Sequence, residues 1–319
     1  MNRYPRFLRW LGIAALLDWL VTRTLARGAI FIPKSASVIA IYEGLTWLGQ
    51  VASTATSLLA LAAMLWIARQ EFKLHKSWWS GLAVLSLVAL SLGALLQPAT
   101  GWQAVLFQLL FIFCVLVIAL RGVKSGESSR QKTALLLVAL TLLSTRLFQL
   151  FPALNQALGG TEILALSQFF FNLGELLVLL SITALWWAYG RGASWKTWVA
   201  GAFLTTLFIA PRLLNPAMTG ILAIWSSGLT LYLPWPLYAL ALLLACMTVI
   251  GCLRRREPAG WVLLLLAAGG YAPQLSYQAF LGLVGLWLLA NEGRPAEVLV
   301  ISSDRHMEVE QQRIVDARA

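Results

Sequence analysis

The chain reads as an all-α, polytopic integral membrane protein, a bundle of about ten transmembrane helices arranged as five helical hairpins. Three observations predict it. Of the 319 residues, 60% are hydrophobic and 12% charged, against roughly 45–50% and 25% in soluble domains. Apolar runs of about 20 residues recur down the whole chain, the length an α-helix needs to cross a hydrocarbon core of about 30 Å. Basic residues gather in short clusters between those runs, as they do in cytoplasmic loops under the positive-inside rule. The alternating ten-residue pattern of a membrane β-barrel is absent.

The clusters set the expected topology. Arg3, Arg6 and Arg9 form one. Arg69, Lys73 and Lys76 form the next, followed by Arg121, Lys124, Arg130 and Lys132, by Arg191 and Lys196, and by Arg254, Arg255 and Arg256. Near the middle of each interval stands a proline: Pro33, Pro98, Pro152, Pro216 and Pro273. Proline removes a helical hydrogen bond and pushes the preceding residue out of the α region, so each is expected at an outer turn. Leu95-Leu-Gln-Pro98-Ala99, Gln149-Leu-Phe-Pro152-Ala153 and Leu213-Leu-Asn-Pro216-Ala217 repeat one form. Five turns give ten spans: 7–24, 38–68, 78–96, 102–120, 133–151, 163–189, 195–210, 235–253, 260–272 and 275–290. Residues 1–290 then form the membrane domain and 291–319 a short tail, with both termini cytoplasmic in a multi-pass protein of the cell (inner) membrane.

The first span is expected to stay as a helix and not to be cleaved as a signal peptide. Asp18 interrupts its apolar core, and Arg23 and Arg27 follow without a small-residue cleavage site. The second is longer than a bilayer requires and carries Glu43, Trp47, Gln50, Thr54 and Ser57 at a period near 3.5. Such a polar face has to look into the bundle, a water-filled vestibule or a partner. The third and fourth flank Pro98, and the seventh and eighth enclose residues 217–233, an apolar stretch read as a helix lying along or dipping into the outer face. The last two arms are short and meet at Gly269-Gly270-Tyr-Ala-Pro273, a pattern compatible with a re-entrant hairpin. In the tail, which holds six of the 13 acidic residues, 297–302 reads as a short strand and 307–318 as a weakly amphipathic helix.

The fifth and sixth spans carry the charges that need an explanation. Gln168, Asn172 and Glu175 share one helical face, because positions i, i+4 and i+7 lie one above another. Arg146 and Glu175 both fall roughly 20 Å above the cytoplasmic ends of adjacent antiparallel arms. Charges near a helix centre cost roughly 2.5–3.5 kcal/mol each on translocon scales, and pairing them lowers that cost. Substrate- or proton-binding candidates are therefore Glu175, Arg146, Asn172, Gln168, Glu43 and Gln50. The 15 tryptophans are expected chiefly in interfacial belts, Trp66, Trp78, Trp79, Trp186, Trp187, Trp195, Trp198, Trp261 and Trp287 near the inner face and Trp102 and Trp235 near the outer.

Other chemistry is missing. Cys114, Cys246 and Cys252 lie in apolar segments without disulfide or metal spacing. The two histidines, His75 and His306, lie outside the spans, so neither haem ligation nor a metal site is expected, and no cofactor. No phosphate-binding loop or dinucleotide fingerprint occurs. The net charge of +11 is distributed by topology and does not indicate nucleic acid; the expected partners are the lipid bilayer and a small solute or proteins within the membrane. The expected function is a transporter or permease for a small solute, proton-linked through intramembrane carboxylates. The alternative is a non-catalytic subunit or scaffold of a larger membrane complex, and behind it an enzyme acting on lipid-linked substrates.

Overall fold

The computed structural model describes residues 6–18, 21, 35–74, 79, 82–83, 85–89, 101–125, 128–158, 164–190, 192–214, 235–257, 259–266 and 277–291. Among these residues every regular element is a helix and none is a strand. The helices are α1 (Arg6–Asp18), α2 (Ala36–Leu74), α3 (Trp102–Ser125), α4 (Ser129–Leu158), α5 (Leu164–Tyr189), α6 (Trp195–Leu214), α7 (Trp235–Arg254), α8 (Ala259–Leu265) and α9 (Tyr277–Ala290); residues 85–89 are also helical. The predicted turns at Pro33, Pro98, Pro216 and Pro273, the 217–233 stretch and the tail lie outside the described residues.

Four helices, α2 to α5, contain apolar segments long enough to cross a membrane: Ile39–Phe72, Trp102–Lys124, Ser129–Leu158 and Leu166–Tyr189. Shorter apolar helices cover Ala239–Arg254 and Phe280–Ala290. The described residues thus form an all-helical structure in which four helices are long and apolar enough to span a membrane.

Local sequence explains the helix starts. Ser128 caps α4, its Oγ accepting the Gln131 backbone N–H at 3.2 Å, and Ser128 with Gln131 three residues on has the spacing of a capping box. Ser194 opens α6, its carbonyl accepting the backbone N–H of Thr197 at 2.9 Å and of Trp198 at 3.2 Å.

Around the centre of the fold the packing is apolar. Every residue from Phe280 to Ala290 in α9 is buried, so this helix is enclosed on all sides, against α2, α3 and α8. A helix apolar all round belongs in an interior. Gly285 admits the Leu266 side chain where a Cβ would stand 2.7 Å from its Cγ. Gly122 of α3 does the same for Ala290, whose Cβ would lie 2.7 Å from a Cβ at that position. On the other flank, α4 packs on α5 and on α3, while α7 joins α5 to α6.

The expected turn at Pro152 is not a turn: α4 continues through it to Leu158. A proline inside a helix forfeits the bond to the carbonyl four residues earlier, here that of Phe148. Ser167 of α5 restores it, its Oγ donating to Phe148 O at 3.0 Å. In an apolar interior a neighbouring hydroxyl is one of the few groups able to do so.

Most of the basic clusters meet at one end of the bundle. Arg121 at the end of α3 pairs with Glu71 at the end of α2. Trp287, near the end of α9, donates its Nε1 hydrogen to the other Glu71 oxygen at 2.7 Å. Arg130 at the start of α4 lies over the Trp187 ring near the end of α5, 5.0 Å from its centroid. Arg254 of α7 donates from Nη1 to Thr197 Oγ1 of α6 at 3.3 Å.

Candidate functional site

The site is built on the α4–α5 pair, whose register is fixed by side chains reaching across to backbone. Ser144 Oγ donates to Phe170 O at 2.7 Å, and Ser167 Oγ to Phe148 O at 3.0 Å. Gly174 faces α4 on this seam, where a Cβ would make ordinary contact with Ser144 Oγ at 3.5 Å. Phenylalanines close the seam above it: Phe148 and Phe171 have ring centroids 5.0 Å apart, and Phe151 stacks on Phe170 at 5.4 Å. Small residues and hydroxyls at the contact, with aromatic packing beyond, are what helices use to associate where water supplies no driving force.

Arg146 stands between these two cross-links, in the middle of an apolar helix, with none of its surface exposed. Its guanidinium carbon lies 5.0 Å from the centroid of the Phe111 ring on α3, a cation–π contact whose value rises when the cation is desolvated. One turn from Phe111 on the same helix, Gln108 is 5% exposed, and its Oε1 has no hydrogen-bond partner among the described residues. Thr145, beside Arg146, donates its hydroxyl back to Thr141 O at 2.8 Å, and Thr141 to Leu137 O at 2.7 Å. The hydroxyls are satisfied along their own helix, and the unmet acceptor is across the groove.

The sequence candidates divide into two groups. Gln168 and Asn172 come together on α5, Gln168 Nε2 donating to Asn172 Oδ1 at 3.1 Å, on a stripe that flanks the seam formed by Ser167, Phe171 and Gly174. The α4–α5 register sets Glu175 about one turn nearer the basic end than Arg146, roughly 6 Å along the axis. That is within the reach of an arginine side chain; the side chain of Glu175 itself lies outside the described residues.

Glu43 and Gln50 form the second group, and the structure does not bring them to Arg146. Both are exposed on α2, with Trp47 between them at 65% exposure. Thr54 donates its hydroxyl to Gln50 O at 2.9 Å. The polar stripe therefore faces away from the bundle. Helix length accounts for it. Glu43 lies 28 residues before Glu71, roughly 42 Å along the axis and still about 32 Å across a bilayer at the steepest usual tilt, about 40°. The hydrocarbon core of a bilayer is about 30 Å thick, so a helix of this length is long enough to set Glu43 and Glu71 at opposite faces of one.

The cluster of Glu71, Arg121 and Trp287 was not expected from the sequence. Trp287, expected in an interfacial belt, is 1% exposed and packs edge-on against Trp66 with centroids 5.4 Å apart. Glu71 is 3% exposed. The available signal was Glu71 itself, an acid standing among Arg69, Lys73 and Lys76; its partners are 50 and 216 residues away. Among the described residues no group of three or more His, Cys, Asp or Glu side chains assembles. Family models, curated proteins and solved structures were all compared with the chain, and none matches.

Proposed function

We propose that the protein is a multi-pass transporter or permease for a small solute, working through the polar centre enclosed by α3, α4 and α5. The observation that carries this reading is Arg146, a fully buried arginine halfway along a membrane-length helix. Ionisable groups at such depth are costly and mark solute or proton pathways. Gln108, with its unmet acceptor one turn from the ring that covers Arg146, provides a place for a solute or water to donate a hydrogen bond. In this reading Glu175 is the partner of Arg146 and the proton-exchanging group, and Gln168 and Asn172 are the polar ladder leading away from it. Glu43 and Gln50 lie outside the pathway. The ten spans and five hairpins belong to the same proposal, with the basic end in the cytoplasm.

The test is proton flux in proteoliposomes, followed with a trapped pH dye while candidate solutes are added outside. Glu175→Gln is expected to abolish solute-driven proton movement, and wild-type flux in that variant would remove Glu175 from the mechanism. Arg146→Glu and Glu175→Arg are each expected to lose activity that the double reversal recovers in part.

A second reading, a subunit of a larger membrane complex, draws on the outward-facing Glu43, Trp47, Gln50 and Thr54 stripe of α2. Purification in mild detergent separates the two. Unrelated chains that stay bound through gel filtration would favour the complex.

A further inference from the structure

The elbow between α7 and α8 carries three consecutive arginines, and its backbone treats each differently. Arg255 is committed internally. It donates from Nη2 to Tyr189 O at 2.7 Å and pairs with Glu257, Nε to Oε1 at 2.7 Å. Tyr189 is the last residue of α5, so this guanidinium covers an end carbonyl of a membrane-length helix and fixes the level of the elbow at the helix end. Arg256 is left-handed, at φ 57°. Its N–H bonds Leu253 O at 3.1 Å and the N–H of Glu257 bonds Cys252 O at 2.9 Å, the paired bonds of a Schellman ending, in which glycine normally holds this position. The sequence sets an arginine where the backbone favours glycine, and the side chain is exposed.

Beside the elbow stands the start of α6. Arg254, exposed, reaches Thr197 Oγ1. Lys196 is exposed, its Nζ 6.0 Å from the Trp195 ring centroid. Trp195 and Trp198 are 70% and 44% exposed. Tryptophans uncovered beside exposed cations, level with the end of a spanning helix, are the composition of a headgroup-level anchor.

We infer that Arg254, Arg256 and Lys196 bind the phosphate of an anionic phospholipid, with Trp195 and Trp198 lying along its glycerol and upper acyl chain. The exposed cations call for an anionic group and the two exposed indoles for one that carries acyl chains, which together describe an anionic phospholipid. An anionic surface attracts each such cation enough to change affinity by about fivefold. The site is separate from the Arg146 centre and does not depend on the transport reading.

The test is native mass spectrometry of the full-length protein from mild detergent, titrated with phosphatidylglycerol and with phosphatidylcholine of the same chains. Wild type is expected to retain the anionic lipid in clear preference. Arg254→Gln with Arg256→Gln should lose roughly 25-fold in phosphatidylglycerol affinity with phosphatidylcholine adducts unchanged. Arg256→Gly guards against misfolding as the cause, because it removes the charge while giving the backbone the residue its geometry prefers. It should lose about fivefold while melting no lower than wild type in phosphatidylcholine. Wild-type phosphatidylglycerol affinity in both variants would overturn the proposal. Displacement of the lipid by inorganic phosphate at millimolar concentration would also overturn it, assigning the cations to a soluble anion.

Discussion

The hydroxyl of Ser167 donates to the carbonyl of Phe148 at 3.0 Å, the carbonyl that Pro152 deprives of its helical partner. The two residues thus trade a bond within α4 for one between α4 and α5. Ser167→Ala is expected to cost about 1–3 kcal/mol, the usual penalty for a buried acceptor left unmet. In a Pro152→Ala background the substituted residue supplies the missing N–H and restores the helical bond, and the same change should cost much less. Unfolding of the four variants in mixed micelles gives the coupling. A difference below about 0.5 kcal/mol between the two backgrounds would count against the exchange.

Glu71 holds three helices at the basic end. Removing one member of a buried ionic cluster leaves the others uncompensated, so Glu71→Ala should lower stability by about 3–5 kcal/mol. Trp287→Phe keeps most of the apolar volume and deletes only the donor, with an expected loss of about 1–3 kcal/mol. Thermal unfolding in detergent reads both, and their order is the check: a larger loss in Trp287→Phe would contradict it.

Two glycines in helices should respond in opposite ways. A Cβ on Gly122 would stand 2.7 Å from Ala290 Cβ and 3.0 Å from its Cα, so Gly122→Ala must separate α3 from α9, at about 1–3 kcal/mol. Nothing lies within 4 Å of a Cβ on Gly44. There Gly44→Ala should stabilise by roughly 0.5–1 kcal/mol through the unfolded chain alone. Equal melting shifts of the same sign would show that the α3–α9 contact is looser than described.

Arg256 in its left-handed conformation costs roughly 1–2 kcal/mol that glycine would not incur. Arg256→Gly is expected to raise the unfolding free energy in neutral lipid by about 1 kcal/mol, and a clear fall in the melting midpoint would show that the side chain contributes to the fold.

The same elbow sets a pH response. Its hydrogen bond to Arg255 holds the Glu257 carboxyl below its ordinary value of 4.5, so the pair's contribution is complete above that value and is lost as pH falls through the lowered one. The Arg255 guanidinium is raised by the same bond and stays charged throughout the acid range. With both side chains about a third exposed, the contribution is about 0.2–1 kcal/mol. Melting midpoints of wild type and Glu257→Gln should differ at pH 7, and the gap should close progressively as pH falls below the ordinary carboxyl value of 4.5. A gap that does not narrow in acid would have another origin.

The helical fold and the four membrane-length segments of α2 to α5 were legible because they rest on local properties: runs of apolar residues and the charge clusters between them. Arg146 was legible for the same reason, since a charge in the middle of an apolar run stands out by position alone. The route of the chain at Pro152 was not, because the consequence of a proline depends on whether a donor arrives from elsewhere, and Ser167 is 15 residues on.

What the sequence by itself determined is the solvent each segment requires and the cost of each charge placed there. The tertiary structure decided which of those charges face inward. Gln50 and Glu43 share a helix with Glu71, yet the first two are exposed and the last is buried, because Arg121 and Trp287 close on Glu71 from two other helices. Trp287 could have been one more interfacial indole. It became the donor to Glu71 because α9 is enclosed on every side, and enclosure depends on contacts between elements far apart in the chain.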